Sequence, residues 1–352
     1  MGTQRERLSI EAAYYADMTG ELWKAIEVYR EVLDNYPNET DVYLNLATLY
    51  SQLGDYQSAW DMAQRSTKPH AGDPELHPLQ RFAELRAAVK NTTPEEQQKT
   101  PDYLYLLAFV DGKRDAMAKY LHMVGENGGG YSLASDTAAY LGQVKNARGL
   151  AEKSASAYAT RDPQESGVIS LAVAAQWEAT YGYPERTREL AALALSLAPT
   201  SLGTNVEAAV AFALAGDTSR AETSAQDLNQ RFPLDEQVQS IWLPAIRGQI
   251  ALARNDPAKT LSALGPPARI EYGNIQFLLV ANCLYTAYVR GNGYLASGDG
   301  SAAAAEFQRI ADHSGVVTNC WTGALARLGV ARANALQAKN STNLAPMPMR
   351  RG

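Results

Sequence analysis

An all-α superhelix, a solenoid of about eight to nine stacked helical hairpins, is the fold class this chain predicts. Three observations predict it. The stretch DVYLNLATLYSQLGDYQSAWDMAQRS, residues 41–66, reads as two amphipathic helices about a turn at Gly54-Asp55, with Ala47 and Ala59 where antiparallel helices touch. The pattern recurs at a spacing of 34, because Ala13, Gly20 and Ala25 precede Ala47, Gly54 and Ala59 by that number. Alanine runs such as 302–305 favour helix over strand. At 352 residues the chain exceeds what one core usually organises, and stacked units escape that limit by burying surface only against neighbours.

Residues 1–67 read as two regular units. In the first, Tyr14 and Tyr15 lie on the leading helix and Gly20 turns the chain. Ala25, Tyr29 and Val32 then line one face of the second helix at i, i+4, i+7, and Pro37 closes the unit. In the second unit the stripe is Tyr43, Leu46, Ala47 and Tyr50, answered by Ala59 and Ala63. Small residues at the seam are required by the close approach, and a bulky one overpacks it by about 1–3 kcal/mol.

Residues 68–131 read as degenerate or elongated hairpins with a bend. The runs KPHAGDPELHP and NTTPEEQQKTP carry turn signals, with one helix over 79–89 between them. A helix pair about Asp111-Gly112 follows, and the run GENGGG, 125–130, reads as a plain connector. Residues 132–338 resume the repeat. Gly142 and Ala147 mark one unit, with Ser135 at its first small position; Gly182 and Thr187 mark the next; Gly216 and Ala221 follow. Gly182 to Gly216 is again 34, while Gly142 to Gly182 is 40. A unit about Asn255-Asp256-Pro257 carries Thr260 in place of alanine, and Gly298 and Ala303 mark the last clear one. A single helix is expected over 319–338, then a disordered tail over 339–352, and both ends of the array read as cut.

The net charge of −6, pI near 5.4 and scattered basic residues argue against direct nucleic-acid binding. Cys283 and Cys320 read as two separate packed thiols, with one bridge as the alternative. The N-terminus has no apolar signal core, and the run 277–289, broken by Asn282, is too short to span a bilayer. A cytoplasmic location is expected, or an extracytoplasmic one for a fragment of a membrane-anchored protein. His70 and His77 share a proline-rich loop that holds no ligand face, and His122 and His313 lack partners for nucleophilic catalysis. No catalytic residue, metal or cofactor is expected, and the oligomeric state is left open.

The 34-residue period with Ala, Gly and Ala in register resembles the tetratricopeptide repeat. The stretches RFPLDEQVQSIWLPAIRGQIALARNDPAKTL (231–261) and YVRGNGYLASGDGSAAAAEFQRIADHSGVV (288–317) resemble the C-terminal repeat region of multidomain bacterial serine/threonine kinases and winged-helix regulators. So does the opening ERLSIEAAYYADMTGELWKAIEVY. That resemblance implies a sensory or scaffolding region of a signalling system. No kinase motif is present here to carry catalysis over. Some tetratricopeptide domains clamp a C-terminal carboxylate with Lys and Asn; the corresponding positions here are Ile10, Tyr14, Leu44 and Thr48, so that clamp is missing. Tyr14, Met18, Thr48 and Gln52 are instead the candidates for a mildly apolar groove that takes a helix or extended peptide. The expected function is a non-catalytic protein-binding scaffold, the rival being a regulatory fragment whose effector domain lies elsewhere.

Overall fold

The structure is a computed structural model that describes residues 3–66, 101–159, 165–275, 277 and 282–344. Among these residues it contains helices and no strand. The first hairpin pairs α1 (Gln4–Ala13), prolonged by a π-helical turn over Tyr14–Thr19, with α2 (Leu22–Asn35). The second pairs α3 (Thr40–Gln52) with α4 (Tyr56–Arg65). Next come α5 (Pro101–Val110) with α6 (Arg114–Val124), and α7 (Gly128–Tyr140) with α8 (Val144–Ala159). Then α9 (Glu165–Thr180) packs with α10 (Pro184–Leu197), α11 (Leu202–Leu214) with α12 (Thr218–Arg231), and α13 (Leu243–Ala253) with α14 (Pro257–Leu264). The chain finishes with α15 (Tyr285–Ser297), α16 (Gly300–Asp312), the short α17 (Ser314–Val317) and the long α18 (Trp321–Leu344). The helix expected over 79–89 and the two loop histidines lie outside the described residues.

One device turns most hairpins. The glycines at 20, 54, 112, 142, 182, 216 and 298 all take φ between +69° and +86°, the left-handed conformation that ends a helix at little cost for glycine. An aspartate follows directly at Gly54, Gly216 and Gly298, and caps the next helix: Asp55 accepts from the Ser58 N–H, Asp217 from Arg220 and Asp299 from Ala302. Each such cap contributes about 1 kcal/mol. In the divergent turn Asn255 takes over the left-handed residue at φ +58°, and Asp256 caps through Lys259.

At the seams Ala25, Ala59, Ala147, Ala221 and Ala303 have no exposed surface, and Ala47 is buried. Ala13 is half-buried, its neighbour Ala12 being the enclosed residue. At two polar seam residues the hydroxyl satisfies the facing helix, while that of Thr187 donates to Tyr183 O at the start of its own helix. Ser135 donates to Ala147 O at 2.9 Å and Thr260 to Gly248 O at 3.2 Å.

Three sequence expectations are corrected. The glycine run is not all connector: α7 starts at Gly128, capped by Asn127 on the Gly130 N–H at 3.0 Å. Glycine is needed there because a Cβ on Gly128 falls 2.5 Å from the Tyr158 ring and one on Gly130 falls 2.2 Å from Gly125 O. The last helix continues past 338 to Leu344. Cys283 and Cys320 are joined in a disulfide with Cα atoms 5.6 Å apart. Their separation of 37 is close to one repeat, so stacking returns α18 beside the lead-in to α15, where Thr322 donates to Cys283 O at 2.6 Å.

Between α14 and α15 the regular alternation stops. Residues 265–275 carry a short 3₁₀ turn, Arg269–Tyr272, that meets the N-terminal hairpins. Asn274 N–H donates to Ser51 O at 3.0 Å, Tyr56 donates its hydroxyl to Tyr272 O, and Gln237 Nε2 donates to both Gln52 O and Asn274 O. Ile270 packs against both the N-terminal core and the large C-terminal core. Under this turn, Glu271 is gripped at both oxygens by Arg290, at 3.0 and 2.7 Å. Glu306 and Arg309 complete a neutral quartet. The described C-terminal helices close on the middle of the chain, as Asn319 donates to Leu133 O and Thr137 Oγ1 at 3.2 and 3.0 Å.

The disulfide makes a direct prediction. Loop-closure entropy for a separation of 37 gives roughly 3–4 kcal/mol of stabilisation. Denaturant melts with and without reductant are expected to differ by that order, with thiol titration rising from none to two per chain. Thiols that titrate fully in the unreduced protein contradict the bridge.

Candidate functional site

Two features of the structure offer binding surfaces. The first is on α1 and its π-helical extension, begun by a capping box between Thr3 and Glu6. Ile10, Tyr14 and Met18, at i, i+4 and i+8, are 70%, 53% and 72% exposed, a row of large apolar side chains facing solvent. The Tyr14 ring sets its edge against Tyr15 with centroids 5.9 Å apart. The other two groove candidates sit differently. Thr48 is half-buried and donates to Leu44 O of its own helix at 3.1 Å. Gln52 stands at the internal seam, its carbonyl accepting from Gln237 at 3.3 Å. Tyr14 and Met18 thus lie on open surface, while Gln52 belongs to the contact with Gln237 and Gly273.

Beside the N-terminal stripe the chain meets itself again. Glu236 N–H donates to Gly20 O at 3.1 Å, and its carboxylate accepts from Trp23 N–H at 3.5 Å. Burial, with the nearby charges of Asp235 and Glu21 adding to it, pushes the Glu236 carboxyl up to about 7.

The second feature is a half-open cavity of about 470 Å³ among α5, α7, α9 and the start of α18. Leu106, Leu133, Ile169, Trp177, Phe277 and Trp321 give it an apolar and aromatic wall, and the disulfide borders it. Asp136 projects from α7 into this wall. Protein surrounds its carboxyl, yet the residue keeps accessible surface because it borders the cavity. Desolvation alone pushes that carboxyl up to about 7.

Behind the cavity runs a fully buried polar chain. Trp321 Nε1 donates to Gln176 Oε1 at 3.2 Å, Gln176 Nε2 donates to Glu207 Oε2, and Tyr285 donates to the same oxygen at 3.0 Å. Glu207 Oε1 accepts no hydrogen bond. Burial raises Glu207 to about 7, against the pull of its two hydrogen bonds and with the charge of Asp136 adding to the rise. The Tyr285 phenol is held well above its ordinary value by burial first and by Glu207 second. Sequence reading passed over Asp136, Gln176 and Glu207. Their signal was an acid or amide inside the largely apolar stretches YSLASDTAAY, AVAAQWEAT and NVEAAVAFAL, since a charge in an otherwise apolar helix is seldom left enclosed.

Residues 20–81 match the family model described as tetratricopeptide repeat. Among solved structures, a tetratricopeptide repeat protein from Parabacteroides merdae is 12% identical, with 95% of this chain and 100% of that one covered and a TM-score of 0.36. The P58(IPK) TPR domain is 13% identical at a TM-score of 0.26, covering 96% of this chain and 99% of that one. Yeast Tom70 is also 13% identical at 0.26, covering 97% and 90%. No function passes from these structures to this chain. No curated protein sequence matches it. Among the described residues no group of three or more His, Cys, Asp or Glu is placed to hold a metal, and no helix is long and apolar enough to cross a membrane.

Glu207 gives a prediction of pH dependence. Its folded value of about 7 lies above the ordinary 4.5, so the folded state binds this proton more tightly. That contribution is complete below the unfolded value and is lost as pH rises through the folded one. Between pH 5 and 8 the wild type is expected to lose stability relative to Glu207→Gln, on the order of 3 kcal/mol. Parallel stability profiles for the two proteins contradict the assignment.

Proposed function

We propose that this chain, a helical-repeat protein of the tetratricopeptide type, is a non-catalytic scaffold that holds a protein or peptide partner. The observation that carries this reading is the row Ile10, Tyr14 and Met18. Such a row matches the apolar face of a partner helix laid alongside it, where burying each large side chain contributes about 1.5–3 kcal/mol. Trp23, 52% exposed, is a further aromatic group at this end of the chain. Thr48 and Gln52 then serve the inner surface of the N-terminal hairpins rather than the first point of contact.

The resemblance of 231–261 and 288–317 to repeat regions of bacterial kinases and winged-helix regulators supports a place in a signalling system. The same resemblance favours a second reading, a regulatory region whose effector domain is encoded separately. The disulfide supports an oxidising compartment over a reducing cytoplasm.

Affinity capture with the wild-type chain and with an Ile10→Ser, Tyr14→Ser, Met18→Ser variant tests the scaffold reading. The variant is expected to keep its helical content and cooperative melt and to lose the captured partner. Equal capture by both proteins contradicts docking on this row.

A further inference from the structure

The cavity beside the disulfide has no part in a scaffold that docks its partner on α1. Its walls are mostly apolar, yet one carboxyl, that of Asp136, borders the space, and desolvation acts on it with no offsetting hydrogen bond or opposite charge. Asp102, from the first turn of α5, is the other acid on the lining, and no Lys, Arg or His lines it among the described residues. Among the described residues the charged groups on the lining are thus all acidic, an arrangement that favours a cation.

A bare metal ion suits it poorly. Hard cations require six or more oxygens, and no group of three candidate ligands exists among the described residues. An organic cation fits better, because Tyr158, Trp177, Phe277 and Trp321 are all on the lining, and aromatic rings add apolar area and attract positive charge. The volume of about 470 Å³ is that of a small-molecule site.

We propose that this cavity binds a small organic amine, its protonated head paired with Asp136 and its aromatic or branched aliphatic body held among Trp177, Phe277 and Trp321. A neutral ligand leaves the carboxyl unpaired, and an anionic one meets two acids.

The groups facing Asp136 fix the sign of the pH effect. Asp102 and Tyr105 come from α5, Tyr158 from α8, Glu207 from α11 and Tyr285 from α15. None carries positive charge, so ammonium binding is coupled to loss of the Asp136 proton. Affinity rises roughly tenfold per pH unit as pH approaches 7 from below, then levels off.

The test is isothermal titration of the full, oxidised chain with phenethylamine, isoamylamine and cyclohexylmethylamine, against 2-phenylethanol and 3-phenylpropionate. At least one amine is expected to bind, with the alcohol about 30-fold weaker or more and the carboxylate without measurable heat. Asp136→Asn is expected to reduce amine affinity to that of the alcohol, while Asp102→Asn changes it by a few-fold at most. Quenching of tryptophan fluorescence by the amine, followed in the wild type from pH 5.5 to 8, gives a reading independent of the variant's folding. The proposal is overturned by any of three results: no amine binds the folded chain, amine and alcohol bind equally, or affinity is flat across that pH range.

Discussion

Glu271, held at both oxygens by Arg290 with each side chain no more than 3% exposed, is the contact on which the arrangement of this chain depends. Removing one member of such a pair leaves a buried charge uncompensated and typically costs about 3–5 kcal/mol. The pair does not stand alone, because Arg290 also reaches Glu306 at 3.2 Å, and Arg309 reaches both acids. Two cations and two anions thus share one largely buried site on α15, α16 and the 3₁₀ turn, with Arg309 at its edge, 24% exposed. Asn282 secures the same segment from its other end by donating to Glu271 O and Gly273 O. The turn is then presented to α3 and α4, where Gly273 comes so close that a Cβ placed on it would lie 1.9 Å from Gln52 O.

This buttress changes what a repeat array can do. A solenoid whose units touch only their neighbours is a compliant ribbon. Here residues 20–56 hydrogen-bond to residues 236–274, and α18 returns to α7 through Asn319. Such closure encloses space, and the cavity beside Asp136 lies where the C-terminal helices come back against the middle of the chain. The outward face of α1 takes no part in the closure and keeps its apolar row exposed. The two candidate surfaces differ for that reason: one is an exposed helix face and suits a macromolecule, the other is a concave, half-open cavity and suits a small ligand.

The helical hairpins were legible because their chemistry is local. A left-handed glycine, a capping aspartate and an alanine seam each act within a few residues, so Gly54, Asp55 and Ala59 announce a turn without knowledge of distant structure. The polar features were not legible for the opposite reason. Glu271 and Arg290 stand 19 apart and belong to no repeat, and Glu207 finds Tyr285 across 78 positions. Asn282 looked like a mere interruption of an apolar run, although it ties the buttress. The disulfide was misread because its cysteines look unrelated in sequence, while stacking one repeat on the next brings them together.

Hydrogen exchange tests the buttress most directly, read on the peptides covering 269–275 and 51–56 in the wild type and in Gly273→Ala. The wild type is expected to protect both peptides to the level of the helices. The added Cβ is expected to release both at once while 202–231 stays protected. Coil-like exchange over 269–275 in the wild type, or unchanged protection in Gly273→Ala, would contradict the claim that this segment holds the N-terminal hairpins to the rest of the chain.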